Sequence, residues 1–210
     1  MKLDTRIRKK IDQYQPQGNI DHTSKFFLLM AEVNHLGTKQ HCQRVALLAE
    51  QVAKKTKKDP KAAFFGGLLH DIGKIILPNT LFDGHDIDKE EYEQIKKHAL
   101  NGFKILKDVH LFTALGAGLH HNLYKGGYGL SQKDFPSNFS IETIKKLLEI
   151  STIISICDFI DAFTHRKTAI KDGSDKVSGK ATLKKMLQNK YPNDYILVDI
   201  ALKCQKAMVA

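Results

Sequence analysis

The sequence predicts an all-α fold, a single bundle of about seven to nine helices. Three observations carry that expectation. Apolar residues recur at three- and four-residue spacing along most of the chain. No segment sustains alternation of apolar and polar residues, so no sheet is expected. With 210 residues, 42% of them hydrophobic, and sparse Gly and Pro, the chain can build one sizeable core and is not low-complexity.

The elements follow in order. Residues 20–35 (IDHTSKFFLLMAEVNH) read as a first helix, and 38–58 as a second with Val45, Leu48, Ala49 and Val52 on one stripe. Asp59-Pro60 places an N-cap before a proline at the first helical position, opening a third helix expected to end near Gly73. After a loop with Pro78 and Gly84, Asp88-x-x-Glu91 has the spacing of a capping box and opens a helix to about Leu106. The next helix ends at His120-His121, where Gly126, Gly127 and Gly129 break the chain. A long apolar helix covers 141–165, and a turn with Gly173 and Gly179 leads to two closing helices. The last is opened by Pro192 and Asp194 and carries the stripe Leu197, Ile200, Ala201, Cys204 and Met208.

Composition narrows the function classes. The net charge of +10 reads mainly as a solvated, lysine-rich surface that also favours phosphate-bearing substrates. Aromatic residues do not interleave with the basic runs, so there is no strong nucleic-acid-binding signal. Cys42, Cys157 and Cys204 lie far apart without metal or disulfide spacing, which suits free thiols in a reducing, cytoplasmic setting. The basic start MKLDTRIRKK has no apolar run after it, so no signal peptide is expected. The most apolar stretch, LLEISTIISICDFIDAF, carries Glu149, Asp158 and Asp161 and is too polar to span a membrane.

The chemistry-bearing residues fall on apolar faces. His41 precedes Val45 by one turn and extends its stripe, His98 lies on the apolar side of its helix, and His120 and His121 end an apolar helix. Asp158 lies inside the most apolar helix, and the pair His70-Asp71 follows GGLL. One such residue alone is more often a hydrogen-bonded core histidine than a ligand. Five histidines and two aspartates converging in one bundle instead fit a metal site. Imidazole and carboxylate donors without thiolate suit Fe, Mn, Zn or Ni. A divalent cation would keep Asp71 ionised, and a carboxylate can bridge two metals.

These residues resemble the HD superfamily of metal-dependent phosphohydrolases, most closely its HD-GYP branch. The resemblance runs over roughly residues 38–205, through HCQRVALLAE, AAFFGGLLHDIGKIILP, EEYEQIKKHALNGFKIL, LHHNLYKGGYG, ICDFIDAFTHR and ATLKKMLQNKYPNDYILVDIAL. It implies an HD-type domain over 38–210 preceded by a helical extension over 1–37. It implies one metal on His41, His70, Asp71 and Asp158, and a second on His98, His120 and His121 with Asp71 as the bridge. The metals would be Fe or Mn, with Zn, Ni and Mg as alternatives. Asp71 and Lys74 would take part in catalysis, with Lys74 facing the phosphate, Arg166 contacting it and Tyr128 packing near the base.

Departures from the pattern are specific. Gly37 stands where some relatives place a glutamate for a third metal. HHNLYKGGYG is one residue shorter than HHExxDGxGYP, with Asn122 for Glu, Lys125 near the Asp and Gly129 for Pro, and the RPY element becomes HRKTA. The resemblance therefore implies a two-metal phosphodiesterase acting on cyclic di-GMP or a related nucleotide phosphoester. A nucleotidase-type phosphohydrolase and a catalytically silent metal-binding signalling domain are the alternatives. Too few residues precede His41 for a sensor domain, so control is expected from a separate partner, from the metal redox state or from oligomerisation such as a homodimer.

Overall fold

Helix boundaries follow the local chemistry of the chain. The computed structural model describes residues 2–165 and 180–209, and these contain α-helices and short 3₁₀ turns but no strand. The helices are α1 (Leu3–Tyr14), α2 (Ile20–Asn34), α3 (Leu36–Lys55), α4 (Pro60–Leu69), α5 (Lys89–Leu106), α6 (Leu111–Leu119), α7 (Ile141–His165), α8 (Lys180–Lys190) and α9 (Tyr195–Val209). Asp59 caps α4 by accepting from the Ala62 amide at 2.9 Å, with Pro60 at the first position. Both arms of the capping box of α5 are present: Glu91 N donates to Asp88 Oδ1 at 2.8 Å, and Asp88 N to Glu91 Oε2 at 3.0 Å. The glycine turn at Gly173 and Gly179, like Arg166, lies outside the described residues.

α3 is the axis of the molecule. It is buried on most sides and packs against α1, α2, α4, α7 and α9. One core, with Val45, Leu48, Val52, Ile153, Ile154 and Cys157, fills the space between α3 and α7–α9. A second, with Ile7, Ile11, Phe27, Leu47, Phe64 and Leu68, joins α3 to α1, α2 and α4. Glu50 of α3 is fully buried, and its Oε1 accepts from Lys10 (2.7 Å), Tyr14 (2.6 Å) and Lys54 (2.7 Å), fastening α1 to the axis. Cys42, Cys157 and Cys204 are buried free thiols. Among the described residues no helix is long and apolar enough to cross a membrane.

Two elements differ from the sequence expectation. α1 precedes the first helix read from the pattern; it is mostly polar, and only Leu3, Ile7, Ile11 and Tyr14 form its stripe, with Ile7 and Ile11 fully buried. The third helix ends at Leu69 rather than near Gly73. His70 and Asp71 leave the α ladder, and a 3₁₀ turn over Ile72–Ile76 follows, with Lys74 N donating to Asp71 O at 2.9 Å. The break lays Gly73 against the backbone of α5, where a Cβ would stand 2.1 Å from His98 O and 2.5 Å from Gly102 N. That contact sets α5, and with it His98, beside the His70-Asp71 turn.

Candidate metal centre

Five segments deliver the ligand-type side chains. His41 comes from α3, His70 and Asp71 from the turn after α4, His98 from α5, His120 and His121 from the turn after α6, and Asp158 from α7. All seven meet. Asp71, His98, His120 and His121 offer ligand atoms within 4.8 Å of one another, as do His41, His70 and Asp71, and also His70, His120 and Asp158. Asp71 turns a different oxygen to each side. Its Oδ1 lies 3.1 Å from His98 Nε2 and 3.8 Å from His120 Nε2. Its Oδ2 lies 3.4 Å from His70 Nε2 and 3.6 Å from His41 Nε2, and also receives the Lys74 ammonium. Asp158 Oδ1 is 3.0 Å from His41 Nε2 and 3.8 Å from His70 Nε2.

The rings are aimed by their outer nitrogens. His70 Nδ1 donates to Gly67 O at 2.8 Å, His98 Nδ1 to Ile95 O at 2.6 Å and His120 Nδ1 to Ala117 O at 2.7 Å, each a carbonyl three residues back. In a neutral ring this leaves Nε2 as a bare lone pair pointing inward. His98 Nε2 and His120 Nε2 are then 3.3 Å apart, and His98 Nε2 meets Asp71 Oδ1 acceptor to acceptor. His70 Nε2 and Asp71 Oδ1 are buried without a hydrogen-bond partner. Unsatisfied acceptors converging in a buried site are costly unless a cation joins them. The donor set therefore fits divalent metal binding, and the outer carbonyls orient the rings as they do at metal-ligating histidines.

The electrostatics of the inner rings agree. Burial holds the imidazoles of His70 and His120 below the usual range and takes His121 down to about 3, so these rings are neutral. Burial also opposes charge on His41, but Asp158 and Asp161 outweigh it and raise His41 to about 9. For Asp71 and Asp158 burial is overcome by the cationic neighbours, Lys74 first for Asp71 and His41 first for Asp158, which hold both well below the usual carboxylate range. His41 and Asp158 each keep 13% of the side chain exposed while Asp71 keeps 1%, and His121 is also partly exposed, so the cluster reaches solvent at these three residues.

Some residues at the centre escaped the sequence reading. Asp161 accepts from His41 Nδ1 at 2.8 Å and from Arg44 Nε and Nη2 at 2.7 and 2.8 Å, forming a carboxylate–histidine pair anchored by a guanidinium. The available signal was a second carboxylate one turn after Asp158 on an apolar helix. Tyr124 OH meets His121 Nδ1 at 3.1 Å. Ser155 of α7 donates to the His120 carbonyl and meets Tyr191 OH at 2.7 Å, bracing the His120-His121 turn from behind.

Of the predicted substrate residues, Lys74 and Tyr128 lie at the centre, and Arg166 lies outside the described residues. Tyr128 stacks on His121 with ring centroids 4.6 Å apart and planes at 29°. Its loop is fastened by Tyr128 N to His121 O (3.0 Å), Leu130 N to Gly118 O (2.8 Å) and Asn122 Nδ2 to Leu130 O (2.7 Å). Gly129 has φ +104°, and a Cβ there would stand 2.2 Å from Gly118 O. A proline, locked near −65°, cannot take that conformation. Lys125 points to solvent, and Gly37 has open space around its Cα.

The sequence pattern of the HD domain family matches residues 38–164, which include all seven candidate ligands. The cyclic di-GMP phosphodiesterase PA4108 of Pseudomonas aeruginosa is 29% identical over 133 residues, 60% of this chain and 30% of that protein. The chain thus spans less than a third of that relative. The crystal structure of the HD domain of the L. monocytogenes phosphodiesterase PgpH superposes with a TM-score of 0.60 at 18% identity, covering 87% of this chain and 96% of that one. The same domain in complex with cyclic-di-AMP gives 0.58 at 19% identity, covering 87% and 95%. At these identities the superpositions establish the fold.

Proposed function

The chain belongs to the HD domain family, and on that premise we propose that it is a metal-dependent phosphodiesterase acting on a cyclic dinucleotide. The observation that carries this reading is Asp71, buried in the core, whose Oδ2 faces His41 and His70 while its Oδ1 faces His98 and His120. His41, His70 and Asp158 would hold one metal and His98, His120 and His121 the other, with Asp71 contributing to both; iron or manganese suits these donors. Cations held there supply charge neutralisation and lower the pKa of water so that hydroxide is available near neutral pH.

The chain's own residues do the rest. Asp161 and the backbone carbonyls behind the rings hold Nε2 of His41, His70, His98 and His120 inward, and Tyr124 OH stands behind His121. Lys74 sets an ammonium beside Asp71, where it meets a phosphoryl oxygen or the leaving oxygen. Tyr128, stacked on His121, offers an aromatic face for a nucleobase. Arg166, outside the described residues, would by the family resemblance be a further phosphate contact. The partly exposed edge at His41, Asp158 and His121 admits the phosphodiester. Buried free thiols suit a reducing compartment such as the cytoplasm.

The substrate class draws support from the two named relatives, a cyclic di-GMP phosphodiesterase and a phosphodiesterase seen with cyclic-di-AMP. Gly129, which holds a backbone conformation closed to proline, favours a second reading in which the altered loop binds without turnover. The test is hydrolysis of cyclic di-GMP, cyclic di-AMP and mononucleotides by protein purified without oxygen and loaded with Fe(II) or Mn(II). Diester cleavage that Asp71→Ala abolishes is the expected result. Cleavage of mononucleotides alone would move the chain to the nucleotidases, and metal retention without any turnover would leave a binding domain.

A further inference from the structure

α2 carries two seams. Ile20, Ser24, Phe27 and Ala31, with Leu28 beside them, face inward and are buried. Two residues further on, about 200° around the helix, runs a second line: His22, Phe26, Leu29 and Val33, with Leu36 of α3 following beyond the non-helical His35. Along α2 its spacing is four, three, four. That is the a/d repeat of a helix built to lie along another helix, narrower than the broad stripe of a helix resting on a globular core. Yet this line faces solvent: Phe26 is 60% exposed, Leu29 54%, Val33 79% and Leu36 53%, with Met30 on the flank at 38%. Contiguous apolar surface of this kind marks an interaction site in soluble proteins.

Charge on the flank selects the occupant. Lys25 and Glu32 lie seven residues apart on the same edge of the seam, both substantially exposed. Against a parallel twin, Lys25 would face Met30, and the two charges would find no complement. Against an antiparallel twin, Lys25 of each copy faces Glu32 of the other, while Phe26 packs on Leu29 and His22 on Val33 about a two-fold axis. Both charges already hold intrachain pairs, Lys25 with Asp21 at 2.9 Å and Glu32 with Lys39 at 3.1 Å. The crossing pairs therefore extend existing networks. We propose that the outer face of α2 is a self-association surface, on which a second copy of this chain docks its own α2 antiparallel.

Sedimentation equilibrium of the full chain tests this at micromolar concentration. A dimer is expected, and Leu29→Glu should raise its dissociation constant at least tenfold while leaving the helical circular dichroism unchanged, because Leu29 touches solvent rather than core. Lys25→Glu and Glu32→Lys should each weaken the dimer, and the double exchange should restore it. Orientation is read by mixing Phe26→Cys and Leu29→Cys chains under mild oxidation. The antiparallel seam expects a crosslink between the two variants in preference to Phe26→Cys with itself. A wild-type monomer at high micromolar concentration, or a dimer indifferent to Leu29→Glu, would overturn the proposal. Preferential self-crosslinking of Phe26→Cys would overturn the antiparallel arrangement.

Discussion

Asp161 shows how much of the centre depends on a residue outside the candidate ligand set. It takes His41 Nδ1 on one side and the Arg44 guanidinium on the other, so it sets the angle of a histidine that faces Asp158. Asp161→Asn keeps the volume and removes the charge. Metal affinity should fall about 10- to 100-fold, measured by chelator competition at a temperature where both proteins are folded, and loss of the buried Arg44 pair should lower the unfolding midpoint as well; undiminished affinity would remove Asp161 from the positioning role. Glu50 makes the complementary structural case. Burial would raise its carboxyl, but Lys10, Lys54 and Tyr14 outweigh burial and lower it below its ordinary 4.5. A depressed carboxyl stabilises the fold above its unfolded pKa and loses that contribution as pH falls through the folded value. Glu50→Gln should therefore cost about 2 kcal/mol at neutral pH, and the gap to wild type should close as the pH falls below about 4.5. Urea unfolding across that range measures it. His70-Asp71 could be read from the sequence because adjacency and apolar context are both local. Asp161 could not, because its role exists only where α7 crosses α3.

At the scale of elements, Gly73 is the joint that fixes one histidine against another segment. A methyl there would strike the backbone of α5 at His98 and Gly102, and backbone cannot swing aside as a side chain does. Gly73→Ala should cost about 2–3 kcal/mol and loosen metal binding by displacing His98. Gly102→Ala, whose nearest neighbour is the Ala117 Cβ at 3.3 Å, should be far milder because a helical alanine regains up to about 1 kcal/mol of propensity. Equal losses in denaturant titrations of the two variants would contradict this. The capping box of α5 was legible because Asp88 and Glu91 act within one turn. The end of α4 was not: the apolar run through Ile72 looks helical, and only the approach of α5 shows why the chain breaks at His70. α1 was hidden for another reason, since its stripe is four residues among many charges and its burial depends on α2, α3 and α4.

Across the whole molecule, two apolar cores share α3, and the seven ligand-type side chains gather where α3, α5, α7 and the ends of α4 and α6 converge. Helical periodicity made the bundle legible, and the placement of histidines on apolar faces made a centre legible. The division of the ligands between two metals was implied by the family resemblance rather than by the spacing, and the proposal that Asp71 bridges them draws support from its two oxygens facing different histidines. That division is the central claim. The most direct measurement is metal content with electron paramagnetic resonance on anaerobically prepared, Mn(II)-loaded protein. The expected result is two manganese ions per chain with an exchange-coupled spectrum, and loss of the coupling in Asp71→Ala. A single uncoupled ion in the wild type, or a coupled pair that survives Asp71→Ala, would contradict it.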